Sequence, residues 1–168
     1  MKIKLLIGLL AVIYLTLVPL ACQTADTVPT SPTPTPPSSE QLAEQGFVLP
    51  EMPRITCEGL KQMLDRGDSL VLVDTRSPAS FKLQRLPGAI NIPNSPESPV
   101  TETWITSTLL GLPRDKLIVF YCDCPDDDTS ASLADKLIKL DASYATANIK
   151  ILWKGYWRWL ELGYPVQQ

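Results

Sequence analysis

An α/β fold with a mainly parallel central sheet flanked by helices is predicted by three features of the sequence from Arg54 onward. Short runs that are apolar or β-branched at nearly every position read as strands buried on both faces. Segments with apolar residues at helical spacing lie between them. Turn residues punctuate each change of pattern, and alternation of this kind argues a parallel sheet with crossover helices.

The first helix is capped by Thr56 and runs to about Arg66, with Leu60, Met63 and Leu64 on one face. Gly67-Asp68 then turns the chain into the strand Ser69-Leu70-Val71-Leu72-Val73. A second strand is Lys116-Leu117-Ile118-Val119-Phe120-Tyr121, and a weaker third is Asn148-Ile149-Lys150-Ile151-Leu152. Between the second and third, residues 129–140 form a helix with Leu133, Leu137 and Leu140 at core spacing. In such folds ligands bind beyond the carboxyl ends of the strands.

The chain before Arg54 has another texture. Lys2 and Lys4 precede an apolar run from Leu5 to Leu20, which ends at Ala21-Cys22. A basic start, an apolar stretch and a small residue before the cut are the grammar of a signal peptide. The Leu20-Ala21-Cys22 end resembles a bacterial lipobox, in which the cysteine is lipidated and becomes the mature N-terminus. This implies a signal peptide over 1–21 and an exported lipoprotein held by Cys22 in the lipid bilayer, on the outer face of the cytoplasmic membrane or in the periplasm. The segment TVPTSPTPTPPSS (27–39) cannot build a core and favours extended polyproline II. At ~3.1 Å per residue it could hold a domain roughly 40 Å from a bilayer. The expected organisation is leader 1–21, tether 22–53 and folded domain 54–168.

Composition excludes several classes of function. A net charge of −3 leaves no basic stripe for nucleic acid. The absence of histidine removes Ser-His-Asp and Cys-His catalysis and the commonest metal ligand. The four cysteines, at 22, 57, 122 and 124, are irregularly spaced in a chain long enough to bury a core, so they do not read as a disulfide framework. Cys57 reads as a small apolar residue near a helix start. Neither a cofactor nor a metal is expected, since two thiols with carboxylates and no histidine match no common site.

Four motifs then occur in order. They are Val73-Asp74-Thr75-Arg76, Leu86-Pro87-Gly88-Ala89-Ile90-Asn91-Ile92-Pro93, Val119-Phe120-Tyr121-Cys122, and Lys154-Gly155-Tyr156-Trp157-Arg158-Trp159 with Gly163-Tyr164-Pro165-Val166. Together they resemble the rhodanese-like family, across about 115 residues. Each piece also has a structural role. Asp74 and Arg76 can pair, Pro87-Gly88 turns the chain, and Trp153, Tyr156, Trp157 and Trp159 read as packing and closure.

The resemblance places the chemistry in Cys122-Asp123-Cys124-Pro125-Asp126-Asp127-Asp128-Thr129-Ser130. It implies a cysteine thiolate that takes sulfur from a small donor as a persulfide and passes it to a thiol or other nucleophilic acceptor. A lowered thiol pKa beside helix N–H groups serves such a step without histidine. Cys122, at the strand end, is the expected nucleophile, and Cys124, six residues before Ser130, is the alternative. Asp123, Asp126, Asp127, Asp128, Thr129, Ser130 and Arg76 are the expected substrate contacts. The Asp126–Asp128 carboxylates favour the following helix but should raise the thiol pKa and repel an anionic donor. Two other readings stay open: a non-catalytic binding module, and a thiol pair exchanging between Cys122 and Cys124.

Overall fold

The structure, a computed structural model, describes residues 33–95, 98–144 and 148–168. The leader, Cys22 and the first part of the tether lie outside the described residues. In chain order the elements are α1 (Ser39–Glu44), β1 (Arg54–Ile55), α2 (Cys57–Asp65), β2 (Leu70–Asp74), α3 (Pro78–Leu83), β3 (Ile90–Asn91), α4 (Glu102–Leu110), β4 (Leu117–Tyr121), α5 (Asp128–Leu140), β5 (Ile149–Leu152) and α6 (Gly155–Glu161). The expected strands and helices are present within a residue or two of their predicted ends, as α2, β2, β4, α5 and β5. The short strands β1 and β3 add the two edges.

All strand pairs are parallel, in the order β1-β5-β4-β2-β3. Successive side chains along a strand point to opposite faces, so β4 serves two cores. Ile118 and Phe120 pack with Leu109 of α4 and Leu133 and Leu137 of α5. Val119 and Tyr121 pack on the other face with Leu60 of α2, Leu152, and Tyr156 and Trp159 of α6. Each such side chain contributes roughly 1.5–3 kcal/mol by burial, which is why β4 tolerates no polar residue before its end. That end, with those of β2 and β5, brings Asp74-Thr75-Arg76, Cys122 and Lys154-Gly155 to one edge of the sheet.

The compact unit begins before Arg54, and residues 33–53 belong to it. This corrects the expectation of a tether up to residue 53. Ser38 and Gln41 form a reciprocal capping box on α1, and Leu42 is only 2% exposed. Met52 is buried in the core shared by α4 and α5. The Arg54 guanidinium organises the intervening turn. Its Nη1 donates to the carbonyls of Leu49, Pro50 and Met52 at 3.2, 3.3 and 2.9 Å, and its Nη2 donates to Val48 at 3.1 Å.

Of the described glycines, the one in the connection from β5 to α6 has the closest neighbour. Lys154 and Gly155 both have positive φ, and a Cβ on Gly155 would lie 2.2 Å from the Cys122 carbonyl oxygen. That oxygen accepts the Tyr156 N–H at 2.8 Å. Gly163 also has positive φ, but a Cβ there would meet nothing within 4 Å. Gly155→Ala should therefore cost about 3 kcal/mol, from overpacking plus left-handed strain, and Gly163→Ala about 1 kcal/mol from strain alone. Urea unfolding of the two variants checks this, and equal costs would show that the backbone around Cys122 yields freely.

Candidate functional site

β4 ends at Tyr121 because the next residues turn away from the sheet, and the chain is caught there twice. Thr75 donates its N–H and its hydroxyl to the Tyr121 carbonyl at 2.9 and 3.1 Å. Tyr156 of α6 takes the Cys122 carbonyl, as described. Cys122 is 1% exposed. Cys122 and Cys124 are joined as a disulfide, with Cα atoms 5.6 Å apart. The expectation that the cysteines form no disulfide framework is thus corrected in one respect. The bond links no distant elements, but it closes the loop at the strand end.

The two sulfurs occupy different surroundings. The Ser130 hydroxyl lies 3.6 Å from the Cys122 sulfur and also donates to the Asp127 carbonyl at 2.9 Å. Cys124 is half-buried, its sulfur 3.5 Å from the Thr129 hydroxyl, and it lines an open cleft of about 440 Å³. Asp123 and Pro125 of the loop share that cleft with Lys154, just before α6, and with Trp157, Arg158 and Glu161 along it. Trp157 is 57% exposed. The expected packing role therefore fails for Trp157 and holds for Tyr156 and Trp159, which are buried. The cations at 154 and 158 were legible only as part of the closing motif, because nothing local says which helix face turns toward the loop.

The acidic triplet Asp126, Asp127 and Asp128, expected to raise the thiol pKa and repel an anionic donor, is dispersed. Asp127 adopts a left-handed conformation (φ 58°) that swings its side chain behind the loop, where it is fully buried with Oδ2 3.5 Å from Arg54 Nε. Neither carboxylate oxygen has a hydrogen-bond partner among the described residues. Asp128 is exposed and accepts the Ser132 hydroxyl at 3.0 Å. Asp126 accepts the Asp128 N–H at 3.5 Å. The carboxylates that reach the cleft are Asp123 and Glu161, and Lys154 and Arg158 offset them.

Arg76 is committed to Asp74. Its Nε donates at 2.9 and 3.1 Å and its Nη2 at 2.6 Å, while Nη2 also reaches the Gln84 carbonyl at 2.6 Å. Burial opposes the charge, but Asp74's hydrogen bonds and charge outweigh it, and the Arg76 pKa is raised. The guanidinium stacks 3.7 Å over the Tyr156 ring. From there it borders a smaller cleft of about 180 Å³ that adjoins the first at Asp123 and Trp157. Cys57, as expected, is a buried helix-start residue. Burial pushes its thiol up to about 12, and it donates weakly to the Gly155 carbonyl at 3.7 Å.

Burial, against the pull of Arg54, raises the Asp127 pKa from 3.8 to about 7. The folded state then holds a proton that the unfolded state has lost, so the stability contributed by this group falls as pH rises from about 4 to about 7. Asp127→Asn removes that slope. Melting temperatures followed between about pH 5 and about pH 8 should decline more steeply for the wild type than for the variant. Parallel profiles would show that Asp127 is ionised throughout.

The rhodanese-like domain family matches residues 56–162. No curated protein gave a match. Among solved structures, a thiosulfate sulfurtransferase from Pseudomonas aeruginosa superposes with a TM-score of 0.55 at 17% identity, over 78% of this chain and 22% of that one. A protein of unknown function from Rhodopseudomonas palustris, described as a possible tyrosine phosphatase, gives 0.51 at 20% identity, over 82% and 99%. A rhodanese-like domain from Anabaena sp. gives 0.50 at 18%, over 68% and 78%. At these identities the likeness is one of fold. The family match covers well over half the sequence and spans β2, β4, the cysteine loop and α6, and on that ground the chain belongs to the rhodanese-like domain family.

Proposed function

We propose that this domain performs sulfurtransferase-type chemistry with Cys124 as the sulfur carrier. The observation that carries the reading is that Cys124, unlike buried Cys122, lines an open cleft shared with Lys154 and Arg158. The fold shared with a thiosulfate sulfurtransferase supports the reaction class. In the reduced protein the Cys124 thiolate attacks the outer sulfur of a donor such as thiosulfate. The sulfur–sulfur bond of the donor breaks, sulfite departs with its electron pair, and Cys124 retains the outer sulfur as a persulfide. The loop leads into the N-terminus of α5, where the helix dipole favours an anionic sulfur. The acceptor is a thiol or another small nucleophile.

We further infer that the domain works outside the cytoplasm, tethered through a lipidated Cys22. The leader motivates this, and a disulfide in the described loop fits an oxidising compartment. Among the described residues no helix is long and apolar enough to cross a membrane.

Incubating the reduced protein with thiosulfate should release one sulfite per chain as Cys124 takes the outer sulfur. Cys124→Ser should abolish the release. Lys154→Gln should slow it about fivefold at low salt and less at high salt, for a cation worth ~1 kcal/mol after screening. If the folded, reduced protein releases no sulfite and gains no sulfur, the domain is a non-catalytic binding module.

A further inference from the structure

The persulfide on Cys124 would form beside a second thiol that no external donor can reach. We propose that Cys122 is a resolving cysteine, so that the product of this site is hydrosulfide and its co-substrate is a dithiol reductant. This rests on the reading of Cys124 as the sulfur carrier.

The disulfide itself shows that the loop brings the two sulfurs to bonding distance, with a Cα separation of 5.6 Å that is ordinary for such a bond. The two positions divide the work. Cys124 meets the cleft, whereas Cys122 is 1% exposed behind it. A thiolate displaces a leaving group in line, from the side opposite to it. With Cys122 behind Cys124 and the cleft in front, the outer sulfur has open space into which to depart. The Ser130 hydroxyl, 2.9 Å from the Asp127 carbonyl and 3.6 Å from the Cys122 sulfur, can turn from one to the other and donate to the thiolate when the bond is open.

In the resolving step the Cys122 thiolate forms a bond to the inner sulfur of the Cys124 persulfide. The bond between inner and outer sulfur breaks, and its electron pair leaves with the outer sulfur as HS⁻. The outer sulfur is reduced, and the two cysteines are oxidised to the disulfide seen in the structure. A dithiol then attacks the cleft-facing Cys124 sulfur, releases Cys122, and closes to its own disulfide while freeing Cys124. With thiosulfate as donor, one thiosulfate and one dithiol yield one sulfite, one hydrogen sulfide and one oxidised dithiol.

A single-turnover experiment tests this. The full chain is reduced, the reductant is removed, thiosulfate is added, and sulfide is trapped with monobromobimane while intact mass is recorded. The wild type should release one sulfite and one sulfide per chain and finish as the disulfide with no retained sulfur. Cys122→Ser, with folding checked by circular dichroism, should release sulfite but at least tenfold less sulfide, and should keep the extra sulfur on Cys124. A wild type that releases sulfite yet holds a stable persulfide and no disulfide overturns the resolving role and leaves the carrier role standing. A wild type that releases neither sulfite nor sulfide and gains no sulfur removes the carrier role, and the resolving role with it. The wild-type measurement decides both without any variant.

Discussion

The hydrogen bond from the Tyr156 N–H to the Cys122 carbonyl is the contact on which the rest of the site depends. It forms only because the preceding residue has no Cβ, since any side chain at 155 would occupy the position of that carbonyl. The same close approach sets the course of α6, and with it the positions of Lys154, Trp157 and Arg158 along the cleft. One backbone contact thus fixes both the strand end that bears the cysteines and the surface that faces them. The weak thiol contact from Cys57 to the Gly155 carbonyl supports the turn from below.

How much of this was legible in the sequence follows from how local each signal is. The strands β2 and β4 were readable because burial on both faces demands an unbroken apolar run. α5 was readable because one face of it fills a core, leaving a helical period in the sequence. The docking of residues 33–53 was not, because it rests on two isolated buried side chains, Leu42 and Met52, and on arginine-to-carbonyl hydrogen bonds that leave no periodic trace. The fate of the acidic triplet was equally hidden. Charge alone placed three carboxylates at the site, but a left-handed residue at 127 turns the middle one inward. The partner that receives it is Arg54, more than seventy positions earlier in the chain.

The charge pattern of the loop therefore does not describe the charge pattern of the cleft. Asp126 and Asp128 act on the backbone and hydroxyl of their own helix start, and the cleft is lined by two cations and two different carboxylates. A net acidic loop is compatible with an anionic ligand when its carboxylates serve the fold and the neighbouring helix supplies the field. The disulfide adds a second separation, with one sulfur turned to solvent and the other sealed between Ser130 and the sheet.

The Arg54–Asp127 contact joins the two ends of this arrangement. One guanidinium grips four carbonyls of the 48–52 turn and faces the buried carboxylate of Asp127 at the end of the cysteine loop. Peeling the segment before Arg54 away from the domain would strip that guanidinium of its carbonyls and free it to leave. Asp127 would then face no cation, and the loop would have to keep that carboxyl protonated or turn it outward. The segment before Arg54 is in this way coupled to the cysteine loop as well as to the core that holds Leu42 and Met52.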